Sequence, residues 1–479
     1  MPVRLAALAA VPLAAAAGAV AGGLGVLLLA GMALALAVLL AGGSVAALAS
    51  ALLLAEPLAE LLKRLTFMLG DGGAAAYYGV QVLPTLLLAA ALAAALPRLL
   101  PLPAPAVWLL ALVAWVSLCT LLTPLPTPWF HRLGTLHHEI VPALLFLPAL
   151  AVRDRAPIGR AAVAVCIVTA AYGLWQFLAG YSGLDLAWAA GAAERSIQAG
   201  KVFAWMIGDS WERRIFSLFP DPFTWGQALV GGLMLVLLAR LSRGWRLLAW
   251  AAVLTGLVLT QSRTPWAALL VTGLAWWGLG WRPLRRPLVV LAAALVGFPL
   301  TLWLGGAAYD LWFTGAPAAD DPFLRRWLTV GTIEARLDAW TSLRDVLAAR
   351  PLTGVGAGAD PRYAADLPLS PELAAAHYAH NVLVSLALYG GAPALVLFLA
   401  FQASLLRLVL AHGGSDGRLA AAFLLGSQAA GYLNAGIFLT WQYFLVLGLA
   451  AGEAVAQRRL AVVASAQSDG TQTHREVAA

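Results

Sequence analysis

Charge is the scarcest thing in this sequence. Of 479 residues only 11% are Asp, Glu, Lys or Arg, against about 25% in an ordinary soluble domain. That scarcity excludes a soluble globular enzyme. Cysteine is scarce as well. The two cysteines, Cys119 and Cys166, sit inside apolar runs, so they read as small packing residues and not as a disulfide framework or a metal site. Acids are missing from the interior of the later apolar runs. This weighs against a proton-coupled transporter, whose relay needs carboxyl groups within the membrane. No short repeat is sustained along the chain. What is abundant is apolar: 62% hydrophobic residues and a mean hydropathy of +0.84 exclude a disordered chain and fit one solvated mainly by lipid. The 30 Lys and Arg outnumber the 23 Asp and Glu, but they fall in short clusters between apolar runs. Such clusters mark the cytoplasmic loops of a membrane protein; no nucleic acid is implied.

Crossing the hydrocarbon takes about 20 apolar residues as a helix. Suitable runs lie near 5–20, 24–42, 78–96, 105–122, 137–152, 158–178, 224–240, 245–261, 264–281, 287–304, 381–406, 419–435 and 437–456. A shorter run at 43–55 continues into Glu56, Glu60, Lys63 and Arg64, and reads either as a span or as an amphipathic segment at the interface. The expected fold is an all-α polytopic integral membrane protein with about 12 to 14 transmembrane helices. Arg4 and the Ala-rich run behind it have the form of a cleaved leader, but a second apolar run follows at once, so the first is read as a retained span.

Arg153, Arg155 and Arg160 share one short loop, Arg240, Arg243 and Arg246 another, and Arg282, Arg285 and Arg286 a third. Arg407 and Arg418 flank a fourth junction, and Arg458 and Arg459 follow the last run. These alternate loops are expected inside; Lys63 and Arg64 fit that scheme poorly. Two long segments then fall outside, 179–223 and 305–380. The chain divides into an N-terminal transmembrane bundle at 1–304, a large external loop with short helices at 305–380, C-terminal transmembrane helices at 381–456 and a disordered cytoplasmic tail at 457–479. Within the loop, 329–350 has helical spacing, with Ile333, Leu337, Trp340 and Leu347 on one side. Pro351 and the glycines Gly354, Gly356 and Gly358 end it in a turn.

The informative cations break the positive-inside pattern: Arg213 and Arg214 before the run at 224, Arg263 at an outer turn, and Arg336 in the external loop. An outer arginine either snorkels or pairs, with Glu212, Asp221 or Glu334 in reach, or it holds an anion, for which its planar fork suits phosphate. His377 and His380 are three apart where the loop re-enters the membrane, so on a helix they share a face. They can accept a proton or donate a hydrogen bond, or simply cap the helix; a third zinc ligand does not stand out by spacing. His137, His138 and Glu139 point about 100° apart on a helix, so they do not converge on one ion.

In order, the chain offers an outer arginine before a span, Ser262-Arg263 at a helix end, and a large loop with Arg336-x3-Trp340. Arg350-Pro351-Leu352-Thr353-Gly354-Val355-Gly356-Ala357-Gly358, His380-Asn381 and Gly390-Gly391 follow. This series, over about 213–391, resembles the bacterial O-antigen ligase/polymerase superfamily, which includes protein O-oligosaccharyltransferases. Two places differ: Asp221-Pro222-Phe223 stands where the family has Pro-Asn, and Thr264-Pro265-Trp266 where Gly often precedes the aromatic. The resemblance implies a multi-pass protein of the bacterial inner membrane with its active site facing the periplasm. It implies a metal-independent, inverting glycosyltransferase that needs no cofactor. The donor would be a glycan on undecaprenyl diphosphate, and the acceptor a hydroxyl of lipid A-core or another glycan. Membrane lipids would surround it. On this resemblance His380, Arg263 and Arg214 are the expected catalytic groups, and Arg213, Arg336, His377 and Asn381 the expected substrate-binding ones. A lipid-linked glycan flippase or transporter would also bind diphosphate, but would need a charged cavity reaching both leaflets.

Overall fold

The computed structural model describes residues 44–68, 74–123, 129–195, 213–281, 347–357, 381–433 and 440–476, with a few isolated positions between 286 and 344. Every extended element among them is helical, and none is a strand. The chain forms α1 (Val45–Met68), α2 (Ala74–Leu99), α3 (Ala104–Leu122), α4 (Trp129–Glu139), a 3-10 turn (Val141–Leu145), α5 (Phe146–Leu150) and α6 (Ala156–Ala179). Then come α7 (Gly183–Arg195), α8 (Pro222–Leu238), α9 (Arg243–Thr260), α10 (Arg263–Gly278), α11 (Val382–His412), α12 (Gly414–Leu433) and α13 (Trp441–Glu476). Helix is what lipid demands, because it satisfies every backbone group within the segment.

Five described helical stretches are long and apolar enough to cross a membrane: Val45–Leu65, Ala104–Leu122, Arg132–Leu150, Ala156–Ala179 and Val382–His412. The protein is therefore an all-α polytopic membrane protein. The run at 43–55 opens the first of these stretches and continues through Glu56 and Glu60. The run expected at 137–152 is broken instead into α4, the 3-10 turn and α5. Pro142 removes a donor from the ladder there, and the chain turns at Ile140. The expected runs at 5–20, 24–42 and 287–304 lie wholly or almost wholly outside the described residues, as does most of 305–380. The polar tail read from 457 continues α13 to Glu476, with residues 457–465 exposed.

α8 is the central helix, with fifteen of its seventeen residues buried. Trp225 on α8 is fully buried; its ring packs where Gly173 of α6 leaves room, and a Cβ there would collide with it, while a Cβ at Gly256 of α9 would collide with Leu229 of α8. Small residues at such contacts let membrane helices approach closely. Cys119 and Cys166 are buried and unbonded; Cys166 packs against Gly232.

The two ends of the bundle differ. At one, Arg155 donates to Asp416 at 2.7 Å, to Glu453 at 3.0 Å and to the Leu449 carbonyl at 3.2 Å. Arg240 reaches the other oxygen of Asp416 at 3.1 Å. This ties α6, α8, α12 and α13 together at the basic-loop end. The opposite end carries the N-termini of α8, α10 and α11, and is called here the Arg263 end.

α11 is not one straight rod. At Gly390 and Gly391 the backbone leaves the helical region, and Gly391 has φ +65°. The turn at 351–357 docks into this break. Val355 N–H donates to the Leu388 carbonyl at 2.6 Å, and Ala392 N–H to the Pro351 carbonyl at 2.7 Å. Ala357 N–H donates to Thr120 Oγ1 at 2.9 Å, and Trp115 Nε1 to the Gly390 carbonyl at 2.7 Å. The groups freed by the kink are thus repaired by an irregular segment buried in protein, a setting in which such backbone is tolerated at membrane depth. A side chain at Gly391 would also run into the Pro351–Leu352 backbone. The turn read from the glycine-rich sequence is present, and its purpose is to enter the bundle.

Candidate functional site

Arg213 and Arg214 stand at the head of the 213–221 loop, which five fixings hold. Tyr181 Oη donates to the Arg214 carbonyl at 2.7 Å. Ser217 N–H donates to Gln176 at 2.9 Å, and Ser217 Oγ to the Thr169 carbonyl at 2.6 Å. Arg64 donates to the Phe219 carbonyl at 2.9 Å. Asp221 ends the loop as N-cap of α8, accepting from Phe223 N–H and Thr224 N–H, each at 2.8 Å, and from Thr224 Oγ1 at 2.6 Å. Cap and turn fix the backbone, leaving the two guanidiniums half-buried at the rim. Arg214 lies 6.0 Å from the Phe223 ring centroid, a cation–π distance. The Asp-Pro-Phe departure noted in the sequence has a local explanation: Asp and Asn cap helices about equally well.

Burial pushes the Asp221 carboxyl above its ordinary range; hydrogen bonds from Thr224 and Phe223 oppose this, and neighbouring Glu60 adds to it.

Arg263 is the first residue of α10, half-buried, behind a tight turn in which Gln261 takes the left-handed conformation at φ 48°. Pro265, the third residue of α10, packs on Gly226 of α8 so closely that no Cβ fits there. The α10 start is thereby held beside the first turn of α8, the helix that the Arg213–Arg214 loop leads into. Helix N-termini are partly positive, and α8 and α10 bring two of them to this region. Arginine forks and helix ends together suit a multiply charged anion.

Asn381 is buried, and its Oδ1 accepts from Leu383 N–H at 2.9 Å and Val384 N–H at 3.3 Å. It caps α11, which accounts for its place directly before the helix. Arg336, His377 and His380 lie outside the described residues.

Two features of this end were not singled out from sequence as a site. Arg64, fully buried, pairs with Asp185 at 2.6 Å and sits 5.3 Å from Trp188 and 5.2 Å from Phe216. Asp185 also accepts from Tyr172 Oη and Ser182. This explains why Lys63 and Arg64 fit the loop-charge pattern poorly: they belong to the Arg263 end. The second feature is a polar face of α1. Glu56, Glu60 and Lys63 are spaced i, i+4 and i+7, which puts them on one side of a helix. Glu60 pairs with Lys63, and Glu56 accepts from Gln442 Nε2 of α13 at 2.8 Å. Lys63 acts electrostatically on His138 of α4, and Glu60 on Asp221. Glu139 accepts a hydrogen bond from Tyr389, the residue before the α11 break. The rings of His137 and His138 are 5.0 Å apart, edge to face. The His-His-Glu triplet does not converge, as helix geometry requires, but Glu139 meets Tyr389 of α11.

Residues 247–399 match the family model described as O-antigen ligase. The match takes in nearly all of α9, all of α10, the docked turn and the α11 break, so the resemblance read over 213–391 is borne out across most of its length. No curated protein matches the chain.

Proposed function

We propose that the protein is a membrane glycosyltransferase of the O-antigen ligase type. It transfers a glycan from undecaprenyl diphosphate to an acceptor hydroxyl, a sugar of lipid A-core, on the periplasmic face of the bacterial inner membrane. The observation that carries this is the family match, which spans Arg263 at the start of α10 and the turn docked in α11. Arg213 and Arg214 on the loop that leads into α8, and Arg263 at the start of the helix packed on α8 through Pro265, support it.

No nucleotide is needed if the sugar arrives already activated on a lipid. The acceptor oxygen attacks the anomeric carbon. The bond to the diphosphate breaks on the opposite face, inverting that centre, and its electron pair leaves with undecaprenyl diphosphate. The hydroxyl proton goes to a base, a role we assign to His380 from its His-Asn…Gly-Gly context. The leaving group is a poor base, so it needs charge stabilisation more than a proton. Fixed guanidiniums in a water-poor cleft supply that, and they do the work that a divalent ion performs in other transferases. We assign Arg214 and Arg263 to the diphosphate, with Arg213 and Arg336 as flanking cations and His377 and Asn381 on the substrate wall.

The test incubates the purified protein with undecaprenyl-diphosphate glycan and offers lipid A-core, a second lipid-linked glycan or a pilin-like protein. Transfer to lipid A-core, insensitive to EDTA, supports the ligase reading. Transfer only to the second glycan or to the protein would make it a polymerase or a protein O-oligosaccharyltransferase. Movement of donor across the bilayer without transfer would make it a flippase.

A further inference from the structure

The α1 face carries ionisable groups inside apolar stretches. Glu56 and Glu60 lie within Val45–Leu65, and Glu139 within Arg132–Leu150. Ionisable groups at such depth are costly and mark functional sites when they face the bundle interior. These do. Glu56 meets Gln442 of α13, Glu139 meets Tyr389 of α11, and the Lys63 charge is felt at His138 of α4. Gln442 is 2% exposed, and while its Nε2 donates to Glu56, its Oε1 has no partner among the described residues. A buried carbonyl oxygen left this way wants a donor from outside.

We propose that this cluster, Glu56, Glu60, Lys63, Glu139, Tyr389 and Gln442, is the acceptor subsite and takes a polyhydroxylated sugar. The inference rests on the glycosyl-transfer reading above. Each sugar hydroxyl both donates and accepts, and the cluster supplies both kinds of partner: carboxyl oxygens and the Gln442 oxygen to accept, and Lys63, with three N–H donors, to donate. Its charge argues against the other substrate. Three carboxyl groups share one ammonium, which already pairs with Glu60, so a diphosphate finds no arginine fork within the cluster. Yet Glu60 is near enough to Asp221 to act on it, and Asp221 ends the loop that bears Arg213 and Arg214. The hydroxyl-binding region therefore adjoins the cationic one, as two reacting partners require. Tyr389 sits directly before the α11 break, so the docked turn at 351–357 sets the height of one wall.

Glu139→Gln and Glu56→Gln test this without breaking the fold, since a glutamine oxygen still accepts from Tyr389 or Gln442. With full-length protein in nanodiscs, the acceptor KM should rise about 3- to 10-fold in each variant, the effect of losing one hydrogen-bond acceptor. Affinity for undecaprenyl-diphosphate glycan should stay within about twofold, and the melting temperature should hold. An unchanged acceptor KM, or a parallel loss of donor affinity, would overturn the proposal. Saturation-transfer NMR reads the subsite without any reaction, using acyl-free lipid A-core oligosaccharide and the free glycan cut from the donor. Signals from either sugar in wild type that weaken in both variants support the subsite even if no transfer is found, in which case the transferase reading alone fails. No signal from either sugar, or equal signals in all three proteins, sinks the subsite while leaving the transferase reading to its own assay.

Discussion

The carboxylates at the two ends of the bundle are satisfied by different donors. At the basic-loop end, Asp416 takes Arg155 and Arg240, and Glu453 shares Arg155. At the Arg263 end, Asp221 takes backbone N–H groups and a threonine hydroxyl, Glu139 a tyrosine hydroxyl and Glu56 an amide. Among the described residues, the exceptions there are Asp185 with Arg64 and Glu60 with Lys63. Cations that neutralise acids hold helices together, and neutralised charge has little reach. Acids met by neutral donors do not lock helices together by ion pairing, and three of the arginines at that end stand on a loop and a helix start fixed by other groups. The first arrangement is architecture. The second is what a site for charged and hydroxylated substrates looks like before they bind.

The sharpest way to break this comparison is to remove a cation from each end. Arg263→Ala, and separately Arg214→Ala, should cut transfer by about 10²–10³-fold, the usual cost of losing one donor to developing negative charge. Folding, followed by the melting temperature, should be nearly unchanged. Arg263→Lys should recover only part of the rate, because an ammonium lacks the fork that binds two oxygens. Wild-type rates in both alanine variants would remove the anion site.

Arg155→Ala is the counterpart. It leaves Glu453 with the neutral Gln457 amide and Asp416 with the exposed Arg240 as its cation. Breaking a partly buried pair this way should cost about 2–3 kcal/mol, seen as a lower melting temperature in detergent. Transfer per folded molecule should hold. If activity falls while stability holds, the two ends are not divided as argued here.

Much of this was legible in the sequence. Apolar runs gave most of the described helices, and the basic loops gave the end at which Arg155 and Arg240 meet. The outward Arg213, Arg214 and Arg263 stood out because they broke that pattern. What could not be read was which polar residues of distant helices meet. Glu139 finds Tyr389 across 250 positions, and Arg64 finds Asp185 across 121; no local spacing carries such a partnership. The i, i+4, i+7 spacing of Glu56, Glu60 and Lys63 was in plain view, but it says only that they share a face, not that the face looks inward.

The glycine pair tests how far the docked turn belongs to the functional end. Gly391→Ala places a Cβ at φ +65° against the Pro351–Leu352 backbone. Strain of this kind costs about 2 kcal/mol, and it should release the 351–357 turn. Limited proteolysis should then cut near 351 sooner than in wild type, and transfer should fall with it. A turn still protected would mean that the four hydrogen bonds at the break outweigh the clash.

The smallest effect concerns Asp221, where the comparison meets a titration. Its carboxyl is raised above the ordinary range because burial outweighs the hydrogen bonds that favour its ionised form. The sign follows from proton binding: the folded state holds this proton more tightly than the unfolded chain. Its stabilising contribution is therefore complete below the ordinary carboxylate range and is lost as pH rises through the raised value. At neutral pH the ionised carboxylate is a small liability, kept for the cap it makes. Asn caps about equally well and carries no charge to bury. Asp221→Asn should thus be neutral or stabilising by less than about 1 kcal/mol at pH 7. The difference from wild type should shrink as pH falls toward 4, where the wild-type carboxyl takes up its proton. Melting curves of both proteins across that range would read it. A variant markedly less stable at pH 7 would mean that the negative charge itself is needed at the α8 N-terminus, and that this acid, like Asp416 at the other end, is there to answer a cation.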